Sequence, residues 1–311
     1  MQKPPARWLI LAAFAAVYFI WGSSYIGIAF ASQTIPPLFM MASRLGAAGI
    51  ALIVVAMRTG AVRPTRQHWR SAITAGFPMF VINAGAIAYA EARLGMPSGI
   101  AAVLLASMPL WMVLINWLRP GGSPPSGLVV AGIVIGFVGI VLLSAPEQGM
   151  PPLNPLAVIL ILVAAVSWAF GSIYLRGAHQ PASAPLSTGM QLVSGATGLL
   201  IVSIVTGELA TFDPAQVSAL SLGAAIYLAI FNSFIGFSSY VWLMRHVSPA
   251  KVSTYAYVNP VVAVILGALL ASESITLRMV IAGAIILFSV FLITVQHLPL
   301  LNRSRLAQAA R

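Results

Sequence analysis

The sequence predicts an all-α polytopic membrane protein, with ten transmembrane helices in two inverted five-helix repeats and both termini cytoplasmic. Three observations carry that expectation. Sixty per cent of the residues are apolar and 7% charged, a mean hydropathy of +0.98, which leaves too little polar surface for a soluble globule. The apolar residues gather into ten runs joined by short loops, each near the ~20 residues a helix needs to cross a ~30 Å hydrocarbon core. And one long stretch of the chain occurs twice.

The runs cover about 8–30, 36–57, 70–90, 97–118, 126–144, 154–175, 186–206, 219–242, 249–271 and 277–296. Within lipid every backbone polar group has to be satisfied internally, and helices of this length do so. Lys3 and Arg7 precede the first run and Ala29-Phe30-Ala31 follows its core, imitating a cleavable signal peptide. The run is long for that purpose and its Trp21 has an echo at Trp168, so it reads as a retained span. The repeated stretch joins the third and fourth runs and, again, the eighth and ninth. Tyr89 falls on Tyr240 and Pro109 on Pro260 at a constant offset of 151, with Arg93 and Arg245 closing the earlier run in each copy. Phe19 to Tyr25 echoes Val166 to Tyr174, and Arg44-Leu45 falls on Gln191-Leu192. A repeat this long is no solenoid unit. The chain divides into a first five-helix repeat at 1–147, a second, inverted one at 148–298, and a basic cytoplasmic tail at 299–311.

Net charge is +11, which by itself suggests nucleic acid, but the distribution argues against it. Lys3, Arg7, Arg58, Arg63, Arg66, Arg70, Arg119, Arg176, Arg245, Arg303, Arg305 and Arg311 fall at alternate connections and the tail. The other loops are expected to hold Arg93 and Arg278 with all five acids, Glu91, Glu147, Glu208, Asp213 and Glu273. Basic residues mark the cytoplasmic side, so the partners expected are a lipid bilayer and a small-molecule substrate, and not nucleic acid. A monomer is compatible with this reading. Cysteine is absent and His68, His179, His246 and His297 lack metal-ligand spacing, so neither metal nor cofactor is expected. An intramembrane enzyme needs paired acids, a Ser/His pair or a metal cluster within the spans, and none is evident. A passive channel stays open as a second reading, although no acid ring or carbonyl filter is seen.

Five spans per repeat is an odd number, so the second unit enters the membrane from the opposite side. Such inverted repeats serve alternating access in many secondary transporters. Trp21-Gly22-Ser23-Ser24, the mid-helix Pro260, Leu269 to Thr276 and the Gly-rich Ala282 to Leu287 together resemble the EamA families of the drug/metabolite transporter superfamily. Ser272 stands where that family usually has Gly, and Leu118-Arg119-Pro120 replaces its acidic position in the first half. Within the superfamily the chain is most similar to amino-acid exporters, including the YddG type that exports aromatic amino acids. The resemblance implies a ten-span fold and export of amino acids or related metabolites across a bacterial-type inner membrane. Export of drugs or other metabolites is its alternative. Proton exchange and facilitated diffusion both remain open, because Glu91 is nearly the only acid close to a span.

The candidate substrate-binding residues are Arg44, Trp21, Tyr25, Asn83, Tyr89, Trp168, Asn232, Tyr255, Tyr257 and Asn259. Arg44 lies some eight residues into an apolar span, where a charge costs at least ~2.5–3.5 kcal/mol and has to face a cavity or a partner. It is a counter-ion for a substrate carboxylate, a structural partner of Glu91, or a snorkelling side chain. Gln191, its counterpart, breaks the symmetry. Tyr255 and Asn259 share a helical face with Lys251, which in turn either gates or snorkels. Trp21 and Trp168 are mid-span and either line a pocket or pack; Asn83 and Asn232 are ligands or interhelical glue. Gly132, Gly136 and Gly139 read as close packing. The gating candidates are Pro97, Ser98, Pro109, Pro249, Lys251 and Pro260. Spans four and nine resemble the family's gate-forming pair and are expected to move reciprocally about Pro109 and Pro260.

Overall fold

The structure, a computed structural model, describes residues 6–119, 122, 124–145, 152–210, 212–247, 252 and 254–295. Among these residues all regular structure is helical. Helix α1 is a pair, Arg7–Ile20 and Ser24–Ala31, bent by 41° and apolar enough to cross as one broken span. Seven helices pass that test singly: α2 (Pro37–Arg58), α3 (Arg66–Leu94), α4 (Ser98–Leu118), α5 (Gly127–Ser144), α6 (Pro155–Gly177), α7 (Ala184–Val205) and α8 (Ala219–Leu243). Two further apolar helices follow, α9 (Tyr255–Ala271) and α10 (Leu277–Val295). The outer faces are apolar: Val134, Val138 and Val141 of α5 and Ile201, Ile204 and Val205 of α7 are exposed. In water these would be large sticky patches; against acyl chains they are the solvated surface.

Extensive pairings include α2 with α7, α5 with α10, the first segment of α4 with α9, α3 with α6, and α8 with α1. Exchanging the halves, so that α1 becomes α6 and onward, leaves this set unchanged. Sequence repetition thus reappears as repetition of contacts. Small residues permit it. At the α2–α7 crossing a Cβ on Gly49 would lie 2.9 Å from the Gly189 carbonyl, and one on Gly189 2.8 Å from the Gly49 carbonyl. Along α5, Gly132, Gly136 and Gly139 each meet α10, at Ser289, its hydroxyl and Ile286 respectively.

Interruptions in the helices have identifiable causes. α1 bends at Gly22-Ser23, where Ser23 Oγ donates to the Ile20 carbonyl and Ser24 Oγ to that of Trp21. Hydroxyls returning to the preceding turn loosen the backbone ladder. α4 breaks into Ser98–Leu105 and Met108–Leu118, just ahead of Pro109, whose ring lacks an N–H and crowds the carbonyl four residues back. α9, by contrast, stays helical through Pro260, so the two proline sites differ in local form. Among the described residues three π-helical stretches occur, at Ala16–Ile20, Phe77–Ile82 and Leu228–Gly236.

Two boundaries correct the sequence expectations. α3 begins at Arg66, capped by Thr65 and His68, and ends against Gly95 at φ +66°. Arg70 and Glu91, expected in loops, are therefore helical, and Glu91 is buried. Pro249, Lys251, Glu147 and the tail 299–311 lie outside the described residues.

Candidate functional site

A cavity of ≈ 100 Å³ lies between the two halves, lined from α1, α2, α3, α4, α6, α8 and α9. At ~10–15 Å³ per water it has room for several waters or a small metabolite. One wall is aromatic. The Trp21 ring lies 5.2 Å from Phe237 and 5.2 Å from Tyr255, both edge-on, and 6.4 Å from Trp168. Phe80 closes the group at 5.6 Å from Phe237 and 6.2 Å from Trp168. These tilted and edge-to-face geometries suit ring quadrupoles. Gly236 makes room for them, since a Cβ there would lie 2.7 Å from Trp21 Nε1. That indole nitrogen is buried without a hydrogen-bond partner among the described residues.

The other wall is polar and centres on Arg44, which is 7% exposed. Its Nη1 donates to Asn232 Oδ1 at 2.8 Å and to Ser233 Oγ at 3.3 Å, and its Nε points to Met41 Sδ at 3.0 Å. All three acceptors are neutral. Glu91, offered by the sequence as a structural partner, does not bond to it: neither Glu91 oxygen has a hydrogen-bond partner among the described residues. Arg44 therefore keeps its full charge beside the cavity, which costs least if a ligand supplies the anion. Asn83 donates through Nδ2 to the Ala164 carbonyl of α6 at 2.9 Å while also lining the cavity, so it combines both roles offered for it. The surroundings of Asn259 assign its amide nitrogen to the side of the Tyr18 and Tyr255 carbonyls, 3.1 and 3.2 Å away, which turns its oxygen the other way.

The structure brings Arg44, Trp21, Tyr25, Asn83, Trp168, Asn232, Tyr255 and Asn259 to one cavity. Tyr89 and Tyr257 are elsewhere. Tyr89 is 38% exposed on the outside of α3; the face carrying Asn83 and Ile87 repeats every four residues and passes it by. Tyr257 is two residues from both Tyr255 and Asn259, on the opposite side of α9, packed against the cluster of Leu110, Val129, Ile133, Val290 and Ile293. Gln191 also points away, donating to Ser187 Oγ at 3.1 Å. Sequence reasoning missed Met41, Met79, Phe80, Met108 and Phe237, which line the cavity. Apolar residues in an apolar run carry no signal of the face they occupy. The π-helical stretches are a missed cue of another kind: those of α3 and α8 carry Phe80 and Asn232, and such stretches gather at functional sites.

Of the gating candidates, Pro97 is the N-cap residue of α4 and Ser98 is 1% exposed. Glu273, in the α9–α10 connection, accepts from the Ser98 backbone and hydroxyl, each at 2.7 Å, and from Gly99 N at 3.0 Å. Glu208, before α8, likewise accepts from Leu38 N at 3.1 Å and Phe39 N at 3.2 Å at the start of α2. Carboxylates suit the positive ends of helices. Both come from the second half and hold the first.

A two-part helical membrane protein enclosing a ligand-sized, half-aromatic cavity is the class these features define. The chain belongs to the EamA-like transporter family, whose profile matches residues 7–145 and again 155–295. It is 36% identical over 285 residues to the uncharacterized inner membrane transporter YedA of Escherichia coli K12, covering 92% of this chain and 90% of that one. It is 24% identical over 298 residues to the uncharacterized transporter YvbV of Bacillus subtilis, with 94% and 93% covered. To protein PecM of Dickeya dadantii it is 27% identical over 295 residues, with 92% of each covered. A solved crystal structure at 19% identity shares the fold, with a TM-score of 0.63 across 93% of this chain and 98% of that one. The protein is a multi-pass transporter of the inner membrane.

Proposed function

We propose that the protein exports amino acids, favouring aromatic and other apolar side chains, by alternating access within ten spans arranged as two inverted repeats. The observation that carries this is Arg44: a buried guanidinium at a cavity wall, held by neutral acceptors, opposite an aromatic wall. A substrate carboxylate completes that pair through charge-assisted hydrogen bonds. The Asn259 oxygen is an acceptor for the ammonium group, and the Trp21, Trp168, Phe237 and Tyr255 rings receive the side chain by area burial and edge contacts. The exchange-invariant helix pairing supports two states of similar energy. The placement of basic residues supports cytoplasmic termini, and on that reading the Glu273 contact with α4 belongs to the outer face.

Counterflow of labelled phenylalanine, methionine and threonine in proteoliposomes tests the reading. Saturable exchange is expected of a carrier, whereas a pore gives non-saturating flux. Arg44→Ala, checked for folding, should lose nearly all exchange, because one charged partner in a desolvated site is worth several kcal/mol. Arg44→Lys should keep part of it, since charge survives while the fork is lost. Equal transport of amino acids and their decarboxylated amines overturns the amino-acid assignment.

A further inference from the structure

Glu91 has no role in the site just described. It lies in α3, 8% exposed, with both carboxyl oxygens buried and without a hydrogen-bond partner among the described residues. Glu208 and Glu273 set the contrast: each accepts from two backbone N–H groups and one hydroxyl, as an ionised carboxylate requires. An ionised Glu91 so placed would be an uncompensated charge in the protein interior, a state that buried groups escape by neutralising. Glu91 is also well placed. Asn83, Ile87 and Glu91 recur at four-residue intervals along one helical face, and the first two line the cavity. Glu91 therefore stands one turn, about 6 Å, beyond the cavity wall. The charged and titratable groups that face it are Glu273 from the α9–α10 connection, Arg44 from α2 and Tyr25 from α1.

We propose that Glu91 is a proton-binding site whose proton loads together with the substrate carboxylate. Arg44 is the one cation among the groups facing Glu91, and two anions compete for it. Ionised, Glu91 draws on the guanidinium; protonated, it leaves Arg44 to its neutral acceptors and to the substrate. On the loading side a proton from water forms an O–H bond with one Glu91 oxygen as the substrate carboxylate meets Arg44. On the unloading side that bond breaks, the proton returns to water, and the substrate leaves. One proton travels with each substrate, so export runs down the outward substrate gradient and against an inward proton gradient; by reciprocity each ligand tightens the other. The inference rests on the carboxylate-binding role of Arg44 for its consequence, though not for the proton site itself.

The test uses the full-length protein in detergent with phenylalanine as probe. Tryptophan fluorescence gives affinity as a function of pH, a dye in weak buffer gives proton uptake, and infrared spectroscopy gives the carbonyl stretch of a protonated carboxyl group. Above the Glu91 titration, binding by the unmodified protein should take up a proton; affinity should be full below that titration and fall by up to about tenfold per pH unit above it, the slope of a one-proton linkage. Glu91→Gln, neutral and of the same shape, should bind at the low-pH affinity at every pH, take up no proton and lack the infrared band. Affinity independent of pH in the unmodified protein, or an unchanged pH profile in Glu91→Gln, overturns the proposal. Failure of phenylalanine to bind at any pH removes the substrate reading instead. The infrared band then decides the proton site alone: a band lost in Glu91→Gln supports it, and no band in the unmodified protein overturns it. Should Glu91→Gln not fold, proton uptake by the unmodified protein on adding phenylalanine, measured across the pH range, supports the linkage, and its absence at every pH overturns it.

Discussion

Ser272 holds a backbone conformation that side chains avoid. Its φ is +54°, at the left-handed position that ends α9, where Glu273 N returns to the Gly267 carbonyl. A residue with a Cβ there costs ~1–2 kcal/mol, and glycine relieves it at an entropic loss of ~0.5–1 kcal/mol in the unfolded chain. Ser272→Gly should therefore stabilise the protein by roughly 0.5–1 kcal/mol, read as a small rise in melting temperature in detergent; a fall would show that the hydroxyl is needed. The sequence already marked this position, because glycine is usual there in the resembled family. Other single residues were legible for simpler reasons: Arg44 was conspicuous as a lone charge deep in an apolar run. Glu91 was misplaced, because Arg93 and Gly95 beside it look like a loop until the helix is seen to run on to Leu94.

At the scale of elements, α2 and α7 form the protein's most extensive contact, and two glycines three residues apart on α2 play opposite parts. A Cβ on Gly49 meets Gly189 O and Val193 N, each at 2.9 Å, which are backbone atoms unable to yield. A Cβ on Gly46 meets only Ala196 Cβ at 3.5 Å, an ordinary contact. Gly49→Ala should cost about 1–3 kcal/mol by overpacking, while Gly46→Ala should be neutral or gain up to ~1 kcal/mol from helix propensity. Thermal melts of the two variants side by side check this, and equal shifts would show that the crossing is softer than drawn. The break of α4 was readable from Pro109, and the bend of α1 has its cause in Gly22-Ser23. The π-helical turns were not readable: their extra residue per turn rotates the rest of the helix, and no residue type announces it. Tyr257 shows the same limit, for its polarity was visible but its side of the helix was not.

For the whole molecule, two carboxylates are seated on helix starts at the proposed outer face. Replacing Glu273 by Gln removes the charge from the Ser98–Gly99 cap and should shift the population towards outward-open. Spin labels at Arg93 and Ser274, on the two sides of this contact, should then report longer distances than in the parent protein. An unchanged distribution would assign Glu273 to helix capping alone. The two halves, alike in sequence and in their contacts, differ in this respect. Both seated carboxylates, Glu208 and Glu273, belong to the second half.

That one-sidedness has a consequence for how the chain is made. Domains emerge from the ribosome in order, N-terminal first. The amide groups that open α2 enter the bilayer before their acceptor, Glu208, exists, 170 residues downstream of Leu38. Those that open α4 wait for Glu273, 175 residues after Ser98. Until then both helix ends have to rely on interfacial water. The first half is thus born unfinished, its two helix starts capped only once most of the second half has been made.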